Sequence, residues 1–343
     1  MGADGRVAGF AGLFRCGNVW LCMECAPKVG AHRAAELEQV LGYHVAKGGT
    51  VMLVTLTMRH HRKHTLRDCL RAKSKAWGRV NTGRTWQRHK ELTGFVGYCS
   101  ALEVTESAQN GWHVHIHAVL VFDHEVDRDR LDMVAGGMFA RWRAGLVAAG
   151  MPSPTEEYGL DVQHLDRDTA GRNFESATAM ARYITKGIAG EAVLGSTKEA
   201  RGSNRSIKEL MRDALIPETW ENIGNGELVQ TVDMTARARL AEYEEAIKGQ
   251  KQMNWSTDLR SSAALDEEEA TDEEVAAQEL EGTDVAVLPY ESWRAVEPRA
   301  PELLSITERL GADAARRWLD ERGIEWWEPT GLTDQYRRHE RDE

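Results

Sequence analysis

The sequence lacks the features of a membrane or secreted protein. Its apolar runs are far shorter than the roughly 20 residues that a membrane-spanning helix needs. Residues 1–10 contain no charged stretch followed by a long apolar segment, so we expect no secretory signal. Only five cysteines occur among 343 residues, and an odd number argues against a disulfide framework. These absences predict a protein of the reducing cytoplasm that does not contact a membrane.

The charge of the chain is unevenly distributed. The net charge is −11, but residues 1–215 carry 29 Lys and Arg against 23 Asp and Glu. Within that part, the basic segment, residues 59–90, contains eleven Lys and Arg and a single acid, Asp68. A basic segment in an acidic protein predicts a surface for a polyanion, the alternative being an ordinary solvated helix face. The candidate contact residues are Arg59, Arg62, Lys63, Arg67, Arg71, Lys73 and Lys75.

The most informative run is GWHVHIHAVLVF at 111–122, in which histidines alternate with apolar residues. In a strand, successive side chains point to opposite faces. His113, His115 and His117 therefore share one face, and the apolar residues between them share the other, which suits a buried core. Three imidazoles in a row predict a metal or acid–base site, the alternative being histidines bonded to the backbone.

A carboxylate is predicted beside these imidazoles. The loop at 107–111 is typical of a hairpin connection between two strands. If Glu106 pairs with Trp112, then Glu103 lies opposite His115, and directly opposed residues share a face. Two imidazole nitrogens and a carboxylate suit Mn²⁺ or Zn²⁺, whereas Mg²⁺ prefers oxygen ligands and water. The alternative for Glu103 is a surface strand acid.

Two further groups of residues are candidates for chemistry. In ARYITKG, Tyr183 and Lys186 lie three apart and share a helix face, so the lysine would favour loss of the phenol proton. The pair is also typical of an amphipathic anchor beside a surface charge. Near the start of the chain, a set of sulfur and imidazole ligands predicts a structural zinc site, the alternative being buried free thiols. This set is Cys16, Cys22, Cys25 and His32.

The alternation of strands and helices predicts an α+β domain with a largely antiparallel sheet. The predicted strands are 51–58, 95–105, 113–122 and 285–289, and the predicted helices are 31–47, 62–79, 126–150, 174–187, 234–248 and 305–322. The predicted organisation is a cysteine-containing segment at 1–30, the main domain at 31–215, a helical extension at 216–265, a solvated acidic linker at 266–284 and a small C-terminal segment at 285–343.

Three motifs occur in a fixed order: VTLTMRHH at 54–61, the histidine strand, and ARYITKG at 181–187. Together they resemble the motifs of rolling-circle replication initiators of the HUH endonuclease superfamily, in particular the Rep proteins of actinobacterial plasmids, over about residues 16–255. The resemblance implies a central antiparallel sheet with helices on one face. It also implies binding to a plasmid's double-strand origin and nicking of one strand, which leaves a 5′-phosphotyrosine and a 3′-hydroxyl primer.

The resemblance assigns roles to individual residues. His115 and His117 match the metal-binding pair, whereas His113 occupies a position that the family often fills with other residues. Tyr183 matches the nucleophile. Glu175, eight residues earlier, is a candidate for the carboxylate that activates water in some relatives. The implied cofactors are a divalent metal, Mg²⁺ or Mn²⁺, and structural Zn²⁺ if the cysteine site closes. The implied partners are origin DNA, single-stranded at the nick, and a host helicase and polymerase, with the basic segment positioning the DNA backbone.

Three other functions compete with this interpretation. A histidine-triad nucleotide hydrolase also alternates three histidines with apolar residues, but such proteins usually continue through glycines, whereas residues 118–122 stay apolar. That function also leaves the basic segment and Tyr183 without a role. A single-strand transposase or a relaxase would share the HUH chemistry. A DNA-binding regulator with structural zinc would not need Tyr183.

Overall fold

The computed structural model describes residues 8, 10, 17–22, 25–164, 204–215, 219–222, 228–231, 233–257, 259–265, 269–277 and 283–329. Its contacts divide the chain into two compact units: one covers Arg15–Ala276, and the other combines Met1–Phe14 with Ala277–Glu343. In the part of the chain described, no helix is both long enough and apolar enough to cross a membrane.

The first unit is built on an antiparallel sheet. The longest strands are β2 and β3, which form a hairpin, and β3 lies between β2 and β1. The described strands follow the order β4-β1-β3-β2-β5, and β8 also pairs with β2, whereas β6 and β7 pair separately. The strands are β1 Thr50–Thr57, β2 Phe95–Ser107, β3 Gly111–Phe122, β4 Leu160–His164, β5 Asn204–Arg205, β6 Thr219–Asn222, β7 Leu228–Thr231 and β8 Met253–Trp255.

Helices surround this sheet and form most of the described part of the second unit. In the first unit they are α1 Cys25–Ala46, α2 Leu66–Val80, α3 Arg84–Thr93, α4 Arg128–Ala148, α5 Glu156–Gly159, α6 Ile207–Leu215, α7 Met234–Ile247, α8 Leu259–Ser262 and α9 Asp272–Ala277, which ends at the unit boundary. In the second unit they are α10 Tyr290–Val296, a 3₁₀ turn at Glu297–Arg299, α11 Ala300–Leu310 and α12 Ala312–Asp320.

The start of α2 is fixed by a cap. The hydroxyl oxygen of Thr65 accepts a hydrogen bond from the backbone N–H of Asp68, with 3.2 Å between the two atoms. Such a cap satisfies one of the amide groups that a helix leaves unpaired in its first turn. The helix predicted at 62–79 therefore begins later, and residues 58–65 form a connection from the end of β1.

One face of the sheet packs against α2 and α4. The apolar residues of β3 that alternate with the histidines, among them Val114 and Ile116, join a large core with Leu70 of α2 and Trp142 of α4. Full burial of such an aliphatic side chain stabilises a fold by about 1.5–3 kcal/mol. The predicted separation of a core face from a histidine face is therefore observed.

The other face of the sheet is covered over part of its length. Beyond the histidines, Val119 and Val121 point to the histidine face and pack with Leu37 and Leu41 of α1. Because these valines are apolar, that end of the face requires a cover. The α+β fold class is confirmed, but helices lie on both faces of the sheet rather than on one. The cover by α1 places the histidines beside a second, smaller core.

Two predictions for the later part of the chain are wrong in detail. The helix predicted at 305–322 is divided at Gly311, whose φ of 86° is a conformation that other residues rarely adopt. The strand predicted at 285–289 is reduced to a single bridge between Val287 and Trp327. In the described part of the second unit, the core consists of side chains from three helices and the segment after them, among them Val296, Leu303 and Leu319.

Residues 269–276, part of the acidic segment that is predicted to be a solvated linker, instead contact α1. Arg33 of α1 is buried, and its guanidinium donates to the backbone oxygen of Ala270 and to a carboxylate oxygen of Asp272, at 2.5 and 3.1 Å. Val275 packs beside Cys25 in a small apolar cluster. A buried guanidinium needs acidic partners, and this part of the acidic segment supplies them. The other predicted domain boundaries stay predictions.

Candidate functional site

The register of β3 places each of two histidines between its neighbours on both sides. His115 pairs with Thr57 of β1 and with Glu103 of β2. His117 pairs with Thr55 of β1 and with a small residue, Ala101, of β2. The pairing of Glu103 with His115 is the register that the hairpin loop predicted. Directly opposed residues share a sheet face, so these side chains form one group.

The three imidazole rings of β3 form a parallel row, which we call the histidine ladder (His113, His115 and His117). The ring centres of His113 and His115 lie 6.5 Å apart with 9° between their planes. Those of His115 and His117 lie 6.4 Å apart with 17° between their planes. The spacing is the two-residue repeat of a strand, and the common orientation means that the three rings present equivalent nitrogens to the same side.

Each ring of the ladder is held at Nδ1 from the side of β1. The Oγ1 atoms of Thr55 and Thr57 lie 3.0 and 2.9 Å from Nδ1 of His117 and His115. In the connection after β1, Nε2 of His60 lies 3.0 Å from Nδ1 of His113. The Nδ1 atoms therefore face β1 and its connection, which leaves the Nε2 atoms toward β2.

On the side of β2, the carboxylate of Glu103 reaches diagonally to the ladder. Its Oε2 lies 2.6 Å from Nε2 of His117, although its strand partner is His115. Burial alone would raise the pKa of Glu103, but the hydrogen bond to His117 and the charges of both histidines lower it overall. The carboxylate is consequently held in its charged form, the form that binds a cation.

Burial keeps the middle ring of the ladder neutral. It lowers the pKa of His115 to about 4, an effect that the charge of Glu103 opposes and that the two neighbouring histidines reinforce. Burial also lowers the pKa of His113. A neutral imidazole has a lone pair on one ring nitrogen, which is the form that binds a metal. At neutral pH, His115 is therefore in the ligand form.

The donor set fits a divalent metal, although the side chains are not arranged around a common point. Among the described residues, no three His, Cys, Asp or Glu side chains are grouped as a metal site. The chemistry of His115, His117 and Glu103 nevertheless suits such an ion, because two imidazoles and a charged carboxylate lie side by side with both Nδ1 atoms already bonded. His113 has its Nε2 buried without a hydrogen-bond partner in the described structure, so it stays a secondary candidate.

The basic segment begins directly beside the histidine ladder. The ring of His60 contacts the ring of His113 edge to face, with 4.4 Å between centres. The backbone of Arg62 approaches the hairpin at Gly111 so closely that a Cβ there would lie 3.1 Å from it. Arg59 and Lys63 are exposed on the same connection. These contacts bring basic side chains to the end of the sheet where the ladder lies.

The remaining predicted contact residues lie on α2. Arg67, Arg71 and Lys75 are exposed, and Arg67 forms an ion pair with Glu245 at 3.2 Å. Lys73 instead points toward the protein: its ammonium lies 3.4 Å from the side-chain oxygen of Gln250, and burial lowers its pKa. The prediction of Lys73 as a contact residue therefore receives no support from its position.

Four of the residues predicted from the sequence lie outside the described residues. They are the nucleophile candidate Tyr183, its neighbour Lys186, the acid candidate Glu175, and Cys16 of the proposed zinc site. Their roles stay predictions.

Of the other three zinc candidates, the structure brings Cys22 and Cys25 together and leaves His32 further along α1. Cys22 accepts a hydrogen bond at Sγ from the backbone N–H of Cys25, at 3.3 Å, and Cys25 is buried in the apolar cluster with Val275. His32 lies about two turns further along α1, roughly 10 Å by the helical rise, and its Nε2 is 3.6 Å from a carboxylate oxygen of Glu36. The described structure therefore gives no support to His32 as a ligand of the same ion.

Three residues of the site were not singled out by sequence reasoning. Thr55, Thr57 and His60 all contact the ladder, and all three lie within the first of the quoted motifs. Their signal in the sequence is the two-residue spacing of the threonines at the end of a predicted strand, followed at once by histidines and arginines. Such a pattern places both hydroxyls on one face of a strand, but it does not show which strand lies opposite.

Comparison with known proteins gives the class of the chain. Residues 16–131 match the model of a family described as replication protein. The chain is 28% identical to the protein named "Protein rep" of Streptomyces lividans, an alignment that covers 88% of this chain and 76% of that protein. It is 29% identical to a Streptomyces cyanogenus protein named "Neomycin resistance protein", an alignment that covers 69% of this chain and 66% of that protein. No solved structure matches the chain.

The antiparallel α+β sheet and the histidine ladder, together with the family match, define a replication protein whose fold is consistent with that of HUH nucleases. The two Streptomyces relatives add that similar proteins occur in actinobacteria. The family match and these relatives support a plasmid replication initiator of the actinobacterial type, in agreement with the resemblance stated from the motifs.

Proposed function

We propose that this protein initiates rolling-circle replication by binding the plasmid's double-strand origin and nicking one DNA strand through metal-assisted attack by a tyrosine. The observation that carries the proposal is the placement of His115 and His117 beside the charged carboxylate of Glu103, in a chain that matches a replication protein family. The family match favours this function over a histidine-triad nucleotide hydrolase. A single-strand transposase or a relaxase would share the same chemistry.

The metal would be held by His115, His117 and Glu103, with Mg²⁺ or Mn²⁺ as the ion. When bound, such an ion supplies Lewis acidity: it polarises a non-bridging oxygen of the scissile phosphate and stabilises the negative charge that develops there. Mn²⁺ suits the two imidazole ligands better than Mg²⁺ does.

The nucleophile in this proposal is Tyr183. Its phenol oxygen attacks the phosphorus in line with the bond to the 3′-oxygen, the phenol proton is lost, and the departing 3′-oxygen takes up a proton. Lys186, three residues later in the sequence, would lower the cost of losing the phenol proton and contact the phosphate. The product is a 5′-phosphotyrosine and a free 3′-hydroxyl, which serves as the primer.

The phosphotyrosine bond retains the phosphodiester energy, so a later attack by a 3′-hydroxyl rejoins the strand without a nucleotide cofactor. Glu175 is the candidate base for the alternative ending, in which it removes a proton from water and the water attacks the phosphotyrosine. The product would then be a 5′-phosphate and a free Tyr183.

The DNA strand would be positioned by the exposed basic residues next to the ladder. Arg59, Arg62 and Lys63 lie on the connection that contacts the ladder and the hairpin. Arginine and lysine contacts to phosphate fix the register of a strand without reading its bases. The exposed residues of α2 would extend this surface along the DNA.

The proposed function also requires proteins of the host. An initiator that leaves a 3′-hydroxyl primer requires a helicase to open the duplex and a polymerase to extend the primer, and the host would supply both in the cytoplasm.

The cysteine segment is proposed to bind structural Zn²⁺ through Cys16, Cys22 and Cys25, with the fourth ligand open.

A nicking assay tests the proposed function. The substrate is single-stranded origin DNA labelled on the 3′ side of the cleavage site, incubated with Mn²⁺ or with EDTA. We expect a protein–DNA adduct that survives SDS, requires the metal, and is absent from Tyr183→Phe and strongly reduced in His115→Asn. The matched control is Tyr158→Phe, because Tyr158 is an exposed tyrosine of α5 outside the ladder. An unchanged adduct in Tyr183→Phe, or one that forms equally in EDTA, would overturn the proposal.

A further inference from the structure

Two threonine hydroxyls lie where they can set the direction of the metal-binding histidines. Thr57 and His115 are directly opposed across β1 and β3, as are Thr55 and His117. In both pairs the hydroxyl oxygen lies at hydrogen-bond distance from Nδ1, at 2.9 and 3.0 Å. The same contact is therefore made twice, at successive positions of one sheet face.

The contact has a directional consequence for each ring. An imidazole carries two nitrogens on opposite edges, so a ring whose Nδ1 faces β1 presents Nε2 toward β2. The short contact between Nε2 of His117 and Glu103, a residue of β2, agrees with this direction. The near-parallel planes of His115 and His117, 17° apart, agree with two rings held in the same way.

A hydroxyl suits this place better than a carbonyl or a carboxylate. The hydroxyl group donates one hydrogen and also accepts, whereas a carbonyl oxygen only accepts. Thr55 can thus donate to Nδ1 of His117 while Nε2 carries the proton that is shared with Glu103. It can equally accept from Nδ1–H once Nε2 has become a ligand. The bond to β1 is retained in both forms of the ring.

We infer that Thr57 and Thr55 are positioning residues that hold His115 and His117 with Nε2 toward the metal ion. The inference rests on the proposed function, because it requires these histidines to bind a metal. Partners at the second nitrogen of a metal-binding histidine fix the orientation of the ring, and their loss typically weakens metal affinity by about 10–100-fold. The burial of Thr55 at 9% exposure keeps water from replacing its hydroxyl easily.

The test uses two substitutions that separate the hydroxyl from the shape of the side chain. Thr57→Val keeps the branched shape and removes the hydroxyl, whereas Thr57→Ser keeps the hydroxyl and removes a methyl group. The same pair is made at Thr55. Mn²⁺ affinity of the full chain, without DNA, is measured by electron paramagnetic resonance of the free ion. The matched control is Thr105→Val, because Thr105 lies on the same sheet face opposite His113 and has no hydrogen bond to the ladder in the described structure.

We expect the valine variants to bind Mn²⁺ about 10-fold more weakly, and the serine variants and Thr105→Val to bind within about twofold of the wild type. Valine is favoured in strands, so a fall in affinity at an unchanged melting temperature reports the lost hydroxyl. If serine weakens binding and valine does not, the threonines act by packing and the inference is wrong. If the wild type binds Mn²⁺ and all variants match it, the inference alone fails. If the wild type binds no Mn²⁺, the metal step of the proposed function fails as well.

Discussion

Oε2 of Glu103 lies 2.6 Å from Nε2 of His117, although the residue opposite Glu103 in the sheet is His115. The residue opposite His117 on β2 is Ala101, whose small side chain leaves the carboxylate room to lean across. The predicted acid therefore contacts one predicted ligand, His117, from the strand position opposite the other, His115.

Glu103→Gln tests the part played by the charge of this carboxylate. The amide keeps an oxygen that can face an ion, but it carries no negative charge, and the charge of the ligands tunes divalent-ion affinity. We expect Mn²⁺ affinity to fall by about 10-fold or more while the melting temperature of the metal-free protein changes little. The measurement is isothermal titration with Mn²⁺, and Glu157→Gln, an exposed acid of α5, is the control. Equal affinities in Glu103→Gln and wild type would exclude Glu103 as a ligand.

The stability of the metal-free protein should depend on pH through the buried histidines. Burial lowers the pKa of His60 to about 4, with a further contribution from His113, and burial likewise lowers the pKa of His115 to about 4. In the unfolded chain a histidine titrates near ~6.5. Between these two pKa values the unfolded chain binds more protons than the folded protein. The contribution of the two histidines to the free energy of unfolding is therefore complete above pH ~6.5 and is lost as the pH falls toward 4.

To check this prediction, the melting temperature is determined by circular dichroism, in EDTA, at pH values from about 7.5 to about 4. The wild type should lose melting temperature across this range, and His60→Asn should lose less because one of the titrating groups is gone. His124→Asn, on an exposed loop residue after β3, serves as the control. A pH profile of His60→Asn that parallels the wild type would show that His60 does not titrate differently in the two states.

Binding of single-stranded DNA should depend on salt through the basic residues beside the ladder. Each phosphate contact that is removed lowers the slope of log affinity against log salt concentration by about 0.7. We expect Arg62→Ala and Lys63→Ala each to lower the slope by about that amount, and Arg130→Ala, an exposed residue of α4, to leave it unchanged. The slopes are obtained from affinities measured by fluorescence anisotropy at NaCl concentrations from about 50 to about 300 mM. Equal slopes in all four proteins would place the DNA elsewhere.

The sequence contained enough information for the hairpin and its register. A loop of fixed length and strict alternation in β3 lead to the pairing of Glu103 with His115, since a slip of one residue would turn every side chain to the opposite face. The start of the basic segment beside the ladder follows in part, because it comes directly after a predicted strand. These features depend on neighbours in the sequence.

The contacts between β1 and β3 could not be predicted in the same way. Thr57 and His115 are 58 residues apart, and the two strands are not joined by a hairpin, so neither their adjacency nor their register follows from local pattern. The cover of Val119 and Val121 by α1 is a long-range contact of the same kind. By contrast, the division of the last predicted helix has a local signal in the sequence, because Gly311 adopts a φ of 86°, which other residues rarely adopt.

The central claim is that Tyr183 becomes covalently joined to DNA, and peptide mapping of the adduct tests it most directly. Trypsin cleaves after Arg182 and Lys186, so Tyr183 falls in the four-residue peptide YITK. After nicking with Mn²⁺ and digestion of the DNA to a short nucleotide remnant, mass spectrometry should find the nucleotide on the tyrosine of this peptide. A nucleotide on a peptide from another part of the chain, including one containing a histidine of the ladder, would contradict the proposed chemistry.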